Sequence, residues 1–275
     1  MDRKPFVMAL QKKTFESPKE NMDRVADMLD AYSGTRPDIL MLPEIFTCPY
    51  DNSCFPIYAQ EEGGEVYRFL SDLARDGHMY VIGGSVPERD GERIYNTSYV
   101  FDRTGSLIGR HRKVHLFDID VQGGQYFKES DVLSAGDGVT VFDTEYGKMG
   151  LCICFDIRFP EMFMDMRSAG VQMVFVPAAF NMTTGPAHWE TLFRSRALDQ
   201  QIFVMGCSPA RDESASYVAY GHSILTDPWG RVVCGLDEKE GILAEQADLE
   251  EVERVRRQIP LLRGGGNGAA DLCIR

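Results

Sequence analysis

Short apolar runs alternate along this chain with stretches whose apolar residues recur every three to four positions, and that alternation restricts the fold more than any other feature. The runs are FVMAL (6–10), DILML (38–42), MYVIGGSV (79–86), NTSYVF (96–101), MGLCICF (149–155), VQMVFVP (171–177), IFVMGC (202–207) and HSILTD (222–227). Their length and β-branched content predict strands. The intervening stretches 18–33, 63–76, 159–169, 187–200 and 248–258 carry helical spacing and predict amphipathic helices. Most of the strands lack a polar face, so both of their faces must be covered, which calls for an α/β arrangement of sheets between helices.

The 275 residues, with 44% hydrophobic and 26% charged side chains, suffice for a large core, and no Pro/Ser-rich linker or charge block divides them. We expect a single domain over 1–262 and a separate Gly-rich tail, RGGGNGAADLCIR, over 263–275. A formal net charge of −13 works against a phosphate backbone, which excludes nucleic acid as a partner. No run reaches the roughly 18–20 apolar residues of a membrane span, and MDRKPFVMAL lacks the apolar core of a signal peptide, so no membrane partner and a cytoplasmic location are expected. The seven cysteines are odd in number and scattered, which reads as reduced thiols rather than a disulfide framework. Neither CxxC nor HExxH occurs, the five histidines do not cluster with carboxylates, and neither a metal nor a cofactor is expected.

In α/β sheets reactive groups gather where strands give way to loops, and polar residues follow the apolar runs in three notable places. Glu44, in LMLPEIF, sits among apolar neighbours that would raise its pKa toward the range useful in a general base; it reads equally as a strand-end carboxylate turned to solvent. Lys113, in GRHRKVHLFD, stands where a basic loop meets Leu116 and Phe117 and could be held inward as a fixed charge, or belong with Arg110 and Arg112 to a solvated face. Cys154, in GLCICFDIRFPE, ends the 149–155 run; on a strand it would share a face with Cys152, which is then a packing residue. A helix beginning near Phe159 or Pro160 would aim backbone N–H groups toward the sulfur. A CxC metal or redox site lacks partners, and nothing local ties His115 or His222 to Cys154 as a Cys/His dyad.

These three segments, in this order, resemble the nitrilase superfamily of carbon–nitrogen hydrolases, and FKESDVLSAGD adds a fourth matching motif. The resemblance spans about residues 4–262. It is nearest to the omega-amidase branch through YVIGGSVPE, HLFDIDV, PAAFNMTTGPAHWE, RSRALD, SPARDESASYVAYGHS and DPWG. It implies a four-layer αββα sandwich that pairs into a homodimer or higher homo-oligomer. It also implies catalysis by Glu44 as base, Lys113 as electrostatic stabiliser and Cys154 as nucleophile, with Glu129 positioning the lysine. The loop QGGQY (122–126) and the Gly-rich tail depart from the family pattern.

On that resemblance the expected reaction is ammonia release from the terminal amide of a small dicarboxylate monoamide through a thioester on Cys154, with the backbone N–H of Phe155 and Lys113 facing the oxyanion. Arg158, four residues past the nucleophile, offers a planar fork for the distant carboxylate, although an ion pair with Asp156 or Glu161 would explain it too. The resemblance adds Phe180 as a pocket wall and Thr184 as a hydrogen-bond donor, while Trp189 and Phe193 read as core packing. Two alternatives stay open: another amidase or N-carbamoyl hydrolase of the same superfamily, and a catalytically inactive binding or scaffold protein.

Overall fold

The two faces of each central strand meet different partners, and that explains why the strands read as apolar throughout. The computed structural model describes residues 3–261. In Phe6–Gln11, Val7 and Ala9 face a core shared by two sheets, while Met8 and Leu10 face helices. Ile39 and Met41 against Leu40 and Leu42, and Met173 and Phe175 against Val174 and Val176, divide in the same way. Sheet faces sheet through one core and each outer face carries its own helices, which is the αββα sandwich.

One sheet runs in the order Gly241–Gln246, Phe6–Gln11, Ile39–Met41, Tyr80–Ile82, Arg93–Phe101 and Val86–Asp90, with Leu107–Arg112 also paired to Arg93–Phe101. The other runs Val232–Gly235, Ile224–Thr226, Phe203–Cys207, Met173–Pro177, Gly147–Leu151 and Thr140–Thr144. Three neighbouring strands in each sheet are parallel and the edges are antiparallel. Helices Pro18–Asp30 and Glu65–Gly77 cover the first sheet, and Pro160–Ser168 and Gly185–Gln200 cover the second. The first helix starts where Ser17 caps the Glu20 N–H and Glu20 reaches back to the Ser17 hydroxyl. Glu250–Gln258 follows the last strand.

All five expected helices form, with ends shifted by a few residues. The strands differ more. The run expected at 149–155 pairs only over Gly147–Leu151, so Cys152 and Cys154 are not alternate positions of one strand and the shared-face argument fails. Cys154 instead opens the turn Cys154–Arg158 at φ +46°. The 79–86 run breaks into Tyr80–Ile82 and Val86–Asp90, because Gly84 takes φ +57°. Leu107–Arg112, Thr140–Thr144, Val232–Gly235 and Gly241–Gln246 had no strong apolar signal, since each is an edge strand or has an exposed face. The tail 263–275 lies outside the described residues.

The break at Gly84 has a purpose in the layout of the molecule. Beside it, the Ser85 hydroxyl accepts from Ile45 N–H (2.9 Å) and Ser85 O accepts from Phe46 N–H (3.1 Å), which fixes the loop carrying Glu44. A Cβ on Gly84 would stand 2.1 Å from the Pro43 carbonyl oxygen. Gly84→Ala should therefore lower the unfolding free energy by about 2 kcal/mol or more, through both the left-handed backbone and the clash. A chemical-denaturation midpoint equal to that of the parent protein would contradict this account.

Candidate active site

Four segments far apart in the chain meet at the C-terminal ends of the parallel strands. Glu44 follows Ile39–Met41, Lys113 follows Leu107–Arg112, Glu129 opens the short turn Glu129–Asp131, and Cys154 follows Gly147–Leu151. Lys113 is anchored by its N–H to Asn96 O (2.8 Å) and by its carbonyl, which accepts from Gly136 N–H (2.9 Å). The adjacent basic residues go elsewhere: Arg112 pairs with the buried Glu88 and with Asp90, and Arg110 pairs with Glu62 at the surface. Both readings of the basic cluster therefore apply, to different residues.

The Lys113 ammonium is fully buried and donates to Glu44 Oε1 (2.9 Å) and to Glu129, 2.9 Å from Oε2. Glu44 is as deeply buried. Its Oε1 also accepts from Asn96 Nδ2 (2.9 Å) and lies 3.2 Å from Tyr50 Oη, whose single proton goes to Glu129, and its Oε2 accepts from the Ala179 N–H (2.8 Å). Glu129 accepts from Tyr50 Oη (2.5 Å) and the Phe117 N–H (2.6 Å). Every carboxylate oxygen is thus occupied, as burial of charge requires.

These contacts set the proton positions. Burial opposes the charge on Lys113, yet Glu129 and Glu44 more than offset it, so the ammonium's pKa is raised and the charge persists. Burial, with the charge of Glu129 beside it, pushes the Glu44 carboxyl above its ordinary range, while Lys113 restrains the shift. The Cys154 thiol adjoins Glu44, and burial and that carboxylate hold its pKa well above that of a free thiol. The arrangement is a neutral thiol beside a buried base and a permanent cation, the groups an acyl transfer needs. Cys154 (φ +46°) and Ile45 (φ +46°), next to Glu44, both occupy the left-handed region, so backbone strain sits beside two of the reactive groups.

Around this centre lies an aromatic wall. Phe155 meets Phe117 edge to face (5.4 Å) and Phe159 (5.9 Å), and Tyr50 packs on Tyr217 (4.6 Å) and Phe127 (5.5 Å). The Arg158 guanidinium lies between the rings of Phe155 (5.4 Å) and Phe180 (5.1 Å), with one amino group 3.2 Å from His188 Nδ1. The ion pairs considered for Arg158 do not form: among the described residues it has no salt bridge, and its buried Nε has no hydrogen-bond partner. Thr184 is buried at the start of Gly185–Gln200, its hydroxyl donating to Asn181 Oδ1 (3.0 Å). Trp189 and Phe193 are core residues. A cavity of about 320 Å³ reaches Glu44, Tyr50, Ala179 and Tyr217, with Glu16 and Asp212 at its rim. A more open one, about 620 Å³, runs over Tyr50, Phe127, Thr183, Tyr217 and the loop at Gly123–Gln125.

Sequence reasoning missed Tyr50, Asn96, the Ala179 N–H and Asp156 with its two histidines. Tyr50 and Asn96 lie outside the motifs and reveal themselves only by hydrogen bonds across 79 and 52 positions of sequence. A backbone N–H carries no side-chain signal at all.

Comparison with known proteins agrees with this geometry. Residues 7–257 match the carbon-nitrogen hydrolase family. The chain is 48% identical to the omega-amidase NIT2-A of Xenopus laevis over 244 residues, 89% of this chain and 88% of that protein. It is 44% identical to the human omega-amidase NIT2 over 259 residues, 94% of each. The crystal structure of Saccharomyces cerevisiae Nit3, a member of branch 10 of the nitrilase superfamily, superposes with a TM-score of 0.87 at 39% identity, covering 95% of this chain and 96% of that one.

Removing the shared cation tests the electrostatics directly. Lys113→Met would leave Glu44 and Glu129 buried without their shared counter-charge, so that one must take up a proton or stay unpaired, and should destabilise the protein by about 3 kcal/mol or more. Urea unfolding at neutral pH measures it, and an unchanged midpoint would mean that Lys113 does not neutralise the pair.

Proposed function

The chain belongs to the carbon–nitrogen hydrolase family, and from that premise we propose that it is an omega-amidase acting through a Glu44–Lys113–Cys154 triad. Its substrates would be small dicarboxylate monoamides of the α-ketoglutaramate or α-ketosuccinamate type. The observation that carries the proposal is the contact of Glu44 with both Lys113 and Cys154, three groups brought together from separate strand ends. The two omega-amidases to which the chain is 44% and 48% identical support the substrate class.

The reaction follows from the proton positions. Glu44 takes the thiol proton as the Cys154 sulfur bonds to the amide carbon, so no free thiolate need accumulate in a buried site. The oxygen's developing charge is met by Lys113 and the Phe155 N–H. Two of the three ammonium protons of Lys113 are committed to carboxylates, and its longer contact to Tyr50 (3.3 Å) is the one an oxyanion would replace. Glu44 then gives its proton to the departing nitrogen, the C–N bond breaks, ammonia leaves and a thioester remains. A water molecule, deprotonated by the same Glu44, attacks the thioester; the C–S bond breaks and the thiol is restored. Glu129 keeps Lys113 aimed, and Tyr50 bridges the two glutamates.

Arg158 is assigned to the far carboxylate of the substrate. Held between Phe155 and Phe180 with a buried Nε that lacks a partner, it has unspent donors for a planar anion, and burial lowers its pKa, as expected of a cation awaiting its counter-charge. Phe180 serves as the wall that orients it, whereas Thr184, expected as a donor to substrate, lines neither cavity and spends its hydroxyl proton on Asn181 Oδ1. One observation favours a rival amidase or N-carbamoyl substrate without a carboxylate: the cavity touching Glu44 is rimmed by Glu16 and Asp212 and does not reach Arg158. Asp212 is largely neutralised by Lys13 at 2.8 Å, which weakens that objection.

The proposal extends to the wider molecule. Residues 1–262 form one catalytic domain, because the core between the sheets draws on both halves of the chain. Pairing of two copies would cover Leu198 and Trp229, exposed on one side where Arg194 ties the Trp229–Gly230 turn to Gly185–Gln200. A cytoplasmic, reducing setting suits the six described cysteines, all of them free.

Ammonia release from a panel of omega-amides, with mass detection of the thioester, tests the reading. Cys154→Ala should abolish both, and equal release by the two proteins would favour an inactive scaffold. Arg158→Met should raise KM for α-ketoglutaramate about ten- to a hundredfold, the worth of a charge-assisted hydrogen bond, while changing KM for a neutral amide less than about threefold. Equal effects on both substrates would remove Arg158 from carboxylate recognition.

A further inference from the structure

Asp156 lies two residues past Cys154, is fully buried, and makes no contact with the Arg158 guanidinium that shares its turn. Its two oxygens are instead spent on both sides of the lysine. Oδ2 accepts from the Ile153 N–H of its own turn (3.0 Å) and meets His111 Nε2 (2.9 Å). Oδ1 accepts from the His115 N–H (2.8 Å) and meets His115 Nδ1 (2.8 Å). His111 and His115 stand two residues before and two residues after Lys113. One carboxylate therefore grips the lysine segment at both flanks and the nucleophile turn at its start.

The histidines are themselves fixed. His111 is buried, with Nδ1 3.1 Å from the Thr140 hydroxyl, and that hydroxyl donates to Arg110 O (3.1 Å). The His115 ring stacks flat on Phe159, with centroids 3.4 Å apart and planes within 9°. Neither histidine has a hydrogen bond to the Cys154 sulfur among the described residues, so neither replaces Glu44 as the base.

We propose that Asp156, through His111 and His115, is a positioning residue that sets the placement of the Lys113 ammonium relative to the Cys154 sulfur. Lys113 and Cys154 follow strands of different sheets, Leu107–Arg112 in the first and Gly147–Leu151 in the second. Packing between sheets tolerates small slides, and a displacement near 1 Å can cost a reaction about a hundredfold. A four-contact carboxylate across that boundary removes the slack. Asp156 touches neither substrate nor sulfur in this role, so its loss should slow the chemistry without loosening substrate binding.

The inference rests on the proposed pairing of Lys113 with a Cys154 nucleophile, and the test separates the two. Full-length Asp156→Asn is compared with the parent enzyme for kcat and KM on α-ketoglutaramate, for the rate of thioester formation on Cys154 by quenched-flow mass spectrometry, and for thermal unfolding. The amide keeps the shape but replaces one doubly used oxygen by a donor. The expected result is a roughly 30- to 100-fold fall in kcat and in the thioester-formation rate per folded molecule, with KM within about threefold. His115→Gln and His111→Gln should show the same split with smaller losses, about three- to tenfold, and they decide the matter if Asp156→Asn does not fold. Folded Asp156→Asn with parental kcat, a loss that tracks only the folded fraction, or a KM that rises in step with the fall in kcat would overturn the proposal. Parent enzyme that forms no thioester at all would instead sink the underlying reading of Cys154.

Discussion

The site depends on one fully buried cation. Two carboxylates buried side by side cannot both stay charged unless something neutralises them, and Lys113, bonded at about 2.9 Å to each, supplies that charge. The requirement propagates outward. A buried ammonium needs acceptors on every side, the carboxylates need further donors, and these are recruited from Asn96, Tyr50, Ala179 and Phe117. Tyr50, Phe117 and Ala179 sit on three different loops and Asn96 within strand Arg93–Phe101, so the electrostatics of the centre tie together parts of both sheets.

The sandwich supplies those strand ends. In each sheet three parallel strands stop at the same side, and the chain leaving them has no further ladder to satisfy its backbone. Glu44, Cys154 and the Ala179 N–H all emerge there, as expected where parallel strands end. The breaks in regular structure that look like imperfections are what turn these residues inward. Gly84 bends the chain so that Ser85 can hold the Glu44 loop, and the positive φ of Cys154 turns the chain out of its strand before the sulfur is presented.

How much of this was legible in the sequence varied with the range of the interaction. Phe6–Gln11, Ile39–Met41 and Met173–Pro177 announced themselves because burial on two faces leaves an unbroken apolar run. Edge strands such as Val232–Gly235 did not, since half of their side chains face solvent. Glu44, Lys113 and Cys154 could be picked out by a polar group at the end of an apolar stretch, yet each had an equally good bland reading until the family pattern linked them. Glu129 came only through that pattern, because ESD in a polar loop gives no local sign of burial. Asp156 was considered as a partner for Arg158, two residues away, whereas its partners lie 41 and 45 positions earlier in the chain. Local spacing cannot report a contact that tertiary packing creates.

The protonation pattern also constrains how the thiol can behave at rest. With Lys113 balancing one of its two carboxylate neighbours, the cluster already carries net negative charge if both glutamates are ionised, and burial adds a desolvation cost to any further anion. A thiolate at Cys154 would be a second excess negative charge in the same dry space, which is why Glu44 and burial together push its pKa up. On the proposed mechanism, reactivity appears only when an electrophile arrives and lets the proton pass to Glu44 as the carbon–sulfur bond forms. A neutral thiol is also less readily oxidised than a thiolate. On that reading, a nucleophile kept neutral until its substrate is present is a consequence of placing one cation between two acids.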